Sequence, residues 1–216
     1  RLMAISNYTE LKTAVANWLD RDDLTDRIPE FIALAEARFN RVLRLRSMET
    51  KETASTVAAQ RNLALPASYI QMRNFQVNTS PLTTLSYVTP EIYDRVWGGS
   101  TQGTPKFYTI LANEVSFGPI PASVMEVEML FYKKFDNLGT ATTSGYPDSV
   151  NWLMTNAPDI YLYGTMLEAE PFIMNDERVA LWAQALQQGI SDLQEQDNKD
   201  RHSGSALRVM NTSGYV

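Results

Sequence analysis

The sequence predicts an α+β fold: a helical core built from both chain ends, an inserted β-rich domain, and an extended C-terminal tail. Three observations predict it. Near the start, Ile28, Phe31, Ile32, Ala35, Phe39, Val42 and Leu43 recur at helical spacing and form a broad apolar stripe. From about Glu49 to Lys134 the pattern changes to short runs rich in Thr, Val, Tyr and Phe, punctuated by Gly and Pro. After Ser149 the helical spacing returns. The expected divisions are a first part of the helical core (1–47), an inserted β-rich domain (48–147), a second part of the core (148–200) and a tail (201–216).

Thr9, Glu10 and Leu11 open a first helix that reaches about Leu19, with Leu11, Val15 and Trp18 or Leu19 on one face. "DRDDLTDRIPEF" is turn-like, and Pro29 suits the first turn of a second helix that runs to about Leu45. Arg38, Arg41 and Arg44 sit three apart, so they form a basic ridge on that helix. In the middle region, "NFQVN", "LTTLSYV", "FYTIL", "EVSFG" and "VMEVEMLFY" read as strands, with a hairpin turning near Asn113. In the last of these, Met125, Val127, Met129 and Phe131 share one face, and Glu126 and Glu128 the other. "TPEIYDRVW" reads as a short helix with Thr89 as N-cap and Pro90 at N1.

"DNLGTATTSGYPDS" reads as a linker. Three helices then follow, at about Ser149–Thr155, Pro158–Glu170 and Asp176–Lys199, with Asn175 as the cap of the last. Its Val179, Trp182, Leu186, Ile190 and Leu193 form a seam, and Gly189 permits close helix approach. The middle helix is unusual. Ile160, Tyr161, Leu162, Tyr163, Met166 and Leu167 cover most of its circumference, so it is buried on several sides. Either it is the central helix of one chain's core, or a second chain covers part of it. Periodicity does not separate the two. "RHSGSALRVMNTSGYV" lacks regularly spaced apolar residues and reads as an extended tail.

With 216 residues, 44% hydrophobic and 20% charged, the chain is long and apolar enough for a sizeable core. No window reaches the ~18–20 apolar residues of a membrane span. The opening "RLMAISNYTELK" has no apolar signal region, and Met3 is a candidate natural start. The absence of cysteine removes disulfides, thiol nucleophiles and cysteine metal sites. It fits assembly in a cytoplasm. A net charge of -6 disfavours a sequence-independent DNA binder but not a protein past which DNA slides.

Candidate chemistry is sparse, and no cofactor is expected. His202 is the single histidine and lies in the polar tail, where nothing nearby would hold it for catalysis or metal binding. Glu126 and Glu128 are roughly 6–7 Å apart on one strand face, a spacing that suits a glycosidase pair; the simpler reading is a solvated strand face. "GGSTQGTPK" (98–106) is Gly-rich but lacks the Lys-Ser/Thr and following helix of a phosphate loop. The Arg38–Arg44 ridge either touches phosphates or pairs with acidic side chains of this chain or a neighbour, the acidic balance favouring pairing. Two rivals to a structural role are a cell-wall glycosidase using Glu126 and Glu128, and a carbohydrate- or peptide-binding module displaying Tyr87, Tyr93 and Trp97.

Taken in order, several stretches resemble the head-to-tail adaptor (connector) proteins of short-tailed phages and related prophages. They are "YTELKTAVANWLDRDDL", "IPEFIALAEARFNRVLR", "NLALPASYIQMRNF", "LSYVTPEIYD", "GTPKFYTI" with "VSFGPIPAS", "MLFYKKF", "NWLMTNAPDIYLYGTMLEAEPF" and "DERVALWAQAL". No single piece is diagnostic; order and spacing carry the resemblance. It implies a non-enzymatic, cofactor-free virion protein, assembled in the host cytoplasm into a ring, commonly twelve-fold. The ring would join the portal to the tail nozzle or hub and surround the DNA channel, without specific DNA binding or a membrane. It also implies a docking role for an extended C-terminal segment, here 203–216. The expected interface residues are Arg38, Arg41, Arg44, Tyr161, Tyr163, Met166, Trp182, Leu207, Val209 and Tyr215.

Overall fold

A computed structural model describes residues 5–21, 23–139, 150–174 and 176–201. The expected tail, with His202, therefore lies outside the described residues, as do Asn175 and most of the linker. In chain order the elements are α1 (Tyr8–Leu19), α2 (Ile28–Val42), β1 (Glu49–Ser55), β2 (Asn62–Ala64), β3 (Tyr69–Val77), β4 (Thr83–Thr84), β5 (Ser86–Tyr87), α3 (Pro90–Trp97), β6 (Gln102–Gly103), β7 (Phe107–Leu111), β8 (Glu114–Gly118), β9 (Ile120–Pro121), β10 (Glu126–Lys133), α4 (Trp152–Asn156), α5 (Pro158–Ala169) and α6 (Asp176–Arg201). The fold is α+β, with helices at both ends of the chain and strands between. The chain divides into two compact units: 1–47 with 135–216, and 48–134.

In the helical unit, α1 starts at Tyr8, one residue before the expected opening at Thr9, because Asn7 caps it. Its side-chain oxygen accepts from the Glu10 N–H at 2.8 Å, and Glu10 in turn accepts from the Ser6 N–H and hydroxyl. Asp20, at φ 51°, ends the helix. α2 starts at Ile28 with Pro29 in its first turn, and stops at Val42 rather than Leu45. Leu43 turns extended, and Leu43 and Leu45 are fully buried as anchors of that extended segment. Val42 is 48% exposed, so it leaves the apolar stripe to which its spacing assigned it. Asn151 caps α4 by accepting from the Met154 N–H.

α5 packs against α1, α2, α4 and α6. Two glycines permit the close contacts. A Cβ on Gly164 would sit 2.5 Å from Cζ of Phe39, and one on Gly189 would meet Ile160 at 3.3 Å. The α6 seam is buried at Trp182, Leu186, Ile190 and Leu193, while Val179 is half-buried. Residues 135–139 go with this unit: Asn40 accepts from the Phe135 N–H, and Glu36 from the Leu138 N–H.

The strand unit has two four-stranded sheets, ordered β1-β10-β3-β4 and β2-β8-β7-β5, and a small β6-β9 pair. β7 and β8 form the expected hairpin, with Leu111 opposite Glu114 and Ala112 at φ 53° in the two-residue turn. β10 alternates as expected: Val127, Met129 and Phe131 face the core, where Phe75 meets Tyr108 edge-on at 5.2 Å. β1 ("ETKETAS") had no sequence signal. It is an edge strand of mostly exposed polar residues, recruited by pairing with β10 from Glu49↔Tyr132 to Ser55↔Glu126.

Candidate assembly interface

The Arg ridge is mostly used within the chain. Both Nε and Nη2 of Arg38 reach Glu168 Oε1, at 2.7 and 2.5 Å, tying α2 to α5. The Arg44 guanidinium donates to the carbonyls of Asn40 and Leu43, satisfying the end of α2. Arg41 is exposed and takes part in none of the ion pairs among the described residues.

Tyr161 and Met166, expected at an interface, lie in the core at 1% and 0% exposure, and Trp182 is buried at 7%. The burial has a simple cause. Four helices of the same chain box α5 in, so its surplus of apolar faces is covered without a second chain. Tyr161 packs edge-on against Phe39 at 5.3 Å, and Tyr163, half-buried, stacks on Trp182. Leu207, Val209 and Tyr215 lie outside the described residues.

Boxing α5 in forces its polar atoms to find partners inside. The Tyr161 hydroxyl donates to Glu36 Oε1 at 3.3 Å and accepts from Asn151 Nδ2 at 2.7 Å. Asn151 also donates to the Asp136 carbonyl, so the network ties α2, α4, α5 and the segment from Phe135 together. Burial pushes the Glu36 carboxyl up to about 7, against the opposing pull of hydrogen bonds from the Leu138 N–H and the Tyr161 hydroxyl. Burial, then the nearby Glu36, raises the Tyr161 hydroxyl. At the far end of α5, fully buried Glu170 accepts from the Trp182 indole N–H at 3.0 Å.

The features that would serve a rival function are arranged otherwise. Glu126 accepts from Asn78; Glu128 accepts from Gln76 and pairs with Lys51 at 2.7 Å. The two carboxylates thus belong to a ladder of polar side chains across the outer sheet face. Tyr87 is exposed, but Tyr93 is 1% exposed with its hydroxyl bonded to the Phe117 carbonyl, and Trp97 stacks on Phe107 at 4.6 Å. These three share no exposed platform. In the Gly-rich loop the carbonyls of Gly98 and Gly99 face the Arg61 guanidinium, the reverse of an N–H cradle for phosphate. Among the described residues, no group of His, Cys, Asp and Glu is placed to hold a metal ion, and no helix is long and apolar enough to cross a membrane.

Fold and site together define an α+β protein whose conspicuous exposed feature is apolar surface on its helices, the kind of surface that other chains cover. The sequence model of the SU10 adaptor protein family matches residues 6–210, running through both units. The chain belongs to that family: it is a phage adaptor protein, a structural component of the virion. No curated protein matches it.

Proposed function

We propose that this chain is the repeating subunit of a ring at the head–tail junction, twelve-fold by the resemblance, which joins the portal to the tail nozzle and surrounds the DNA channel. The observation that carries this reading is the adaptor-family match from residue 6 to 210, which runs through both units. The subunit is made in the host cytoplasm and acts in the virion, through surfaces rather than through catalysis. Arg41 and the outer edge of Tyr163 are its contributions to contacts with a neighbour. Residues 203–216, with Leu207, Val209 and Tyr215, are a docking strap, taken up as an added strand by the edge of a partner sheet. The net charge of -6 lets DNA pass without being held, since phosphate binding needs a basic footprint.

The test is a mass measurement of the purified protein, alone and mixed with its portal. A complex containing many copies of the chain is expected in the mixture. If both proteins keep their separate masses when mixed, the ring reading falls. Removing 203–216 should preserve the helical circular-dichroism signal and weaken co-sedimentation with the portal; undiminished co-sedimentation rules out the strap.

A further inference from the structure

Three main-chain groups of residues 135–139 are bonded to side chains of the helical unit. This segment follows β10 and lies outside every helix and strand. The Phe135 N–H donates to Asn40 Oδ1 at 2.9 Å, and the Leu138 N–H to Glu36 Oε1 at 2.7 Å. The Asp136 carbonyl accepts from Asn151 Nδ2 at 2.8 Å. The Leu138 side chain is buried, and Gly139 lies against Tyr8, whose ring is 3.1 Å from where a Cβ would stand. Glu36 and Asn40 are one turn apart, so a single face of α2 grips the segment at two points.

Glu36 is the one of these gripping side chains that can change charge. Its Oε1 accepts from both the Leu138 N–H and the Tyr161 hydroxyl. A protonated carboxyl serves the same two donors, because with its proton on Oε2 it keeps Oε1 as a neutral acceptor. An ionised carboxyl places a charge on a side chain that is 5% exposed. The groups around it do not offset that charge. α5 contributes the Tyr161 hydroxyl and the cap of α4 contributes Asn151, both uncharged. α1 contributes Tyr8, with the Lys12 ammonium engaged over its ring at 4.7 Å. The segment itself contributes a second acid, Asp136, on the same small cleft. On α2, Arg38 is taken by Glu168, and Glu36 belongs to none of the ion pairs among the described residues. Burial accordingly outweighs the two hydrogen bonds and raises the carboxyl to about 7.

The two donors differ in their freedom to leave. Tyr161 belongs to α5, which four helices box in. The Leu138 N–H belongs to a segment whose lifting breaks no helix bond and lets water reach the carboxylate. We propose that Glu36 is a proton-operated clasp: protonated, it holds residues 135–139 on α2, and on ionisation it releases them to solvent while α5 stays folded. Glu36 favours the closed form fully below the ordinary 4.5 of the carboxyl, and that contribution is lost as pH rises to about 7. The device belongs to the single chain and does not depend on the ring reading.

Hydrogen–deuterium exchange of the full chain, read by mass spectrometry, tests the clasp. Rates at about pH 5 and about pH 8 are each divided by the rate of an unstructured peptide at the same pH. The peptide containing Leu138 should then open on the order of 50-fold more at the higher pH, and α5 peptides should not follow it. Glu36→Gln should abolish that pH response, because its amide oxygen serves both donors without charging. Asn40→Ala, which loosens the same segment at Phe135, should raise opening at both pH values and leave their ratio unchanged. Equal wild-type opening at the two pH values overturns the proposal without recourse to a variant. So does an equal rise in α5, which means that the whole unit opens, and so does a pH response that survives in Glu36→Gln protein. Unchanged Leu138 exchange in Asn40→Ala protein also overturns it, since α2 would then not grip the segment as one clasp.

Discussion

The helical and strand units handle buried polarity in different ways. The helical core encloses two carboxylates, Glu36 at 5% and Glu170 at 0% exposure, each with a hydrogen-bond donor. Among described residues, the strand core's buried polar side chains are hydroxyls, in Thr56, Thr109 and Ser116, while Glu126 and Glu128 stay on the outer face. The difference follows from element geometry. A sheet with one face in solvent sorts its residues by alternation, so a carboxylate is kept wet by placing it one position along. A helix boxed in by four others keeps only a narrow wet edge, here at Asp159 and Tyr163. Polar groups beside it look for partners inside, and burial raises the Glu36 carboxyl.

Four measurements can break or sharpen that contrast. The largest effect is expected in the strand core, where Phe75 packs on Tyr108 and Phe117. Phe75→Ala should cost about 3–5 kcal/mol in urea unfolding, by lost burial and the cavity left behind. A cost below about 1 kcal/mol means that this core is not closely packed. Next comes the close contact in the helical core. Gly164→Ala puts a methyl group into the Phe39 ring and should cost about 1–3 kcal/mol. Adding Phe39→Leu, which removes the clashing ring atoms, should recover part of that loss; strictly additive losses contradict the geometry.

The third effect depends on pH. Unfolded, Glu36 titrates near its ordinary 4.5; folded, it is pushed up to about 7. Between these values the native chain holds more protons than the unfolded one. Glu36's contribution to stability is therefore complete below about pH 4.5 and lost as pH rises to 7, with a slope of at most about 1.4 kcal/mol per pH unit. Glu36→Gln keeps an acceptor for the Leu138 N–H and should flatten that part of the curve. An identical pH–stability curve for wild type and variant shows that Glu36 is not the group responsible. The smallest effect belongs to the outer sheet face. The Lys51–Glu128 pair involves a lysine side chain that is 63% exposed, so Glu128→Gln should change stability by less than about 1 kcal/mol. A larger loss would show that the ladder contributes as a coupled network.

Particular elements show where the sequence was legible. The β7–β8 hairpin, the Thr89–Pro90 helix start and the close approach at Gly189 follow from signals within a dozen residues, and the structure contains all three. β1 was missed because an edge strand of mostly polar residues carries no apolar alternation. The end of α2 was misplaced because Leu43 and Leu45 are apolar for a tertiary reason, burial of an extended segment, which mimics helical spacing.

The sequence by itself determined the α+β order, the helix-capping signals and the apolar girdle of α5, because backbone periodicity and capping chemistry are local. Tertiary structure alone decided what covers that girdle. Arg38 meets a carboxylate 130 positions away, and Tyr161 meets another 125 positions away. An apolar or charged side chain carries the need for a partner but not its address. Packing supplied the address here: α5 is satisfied largely inside its own chain, while Trp18, Leu34, Phe172 and Leu181 are among the apolar side chains left exposed on the helical unit.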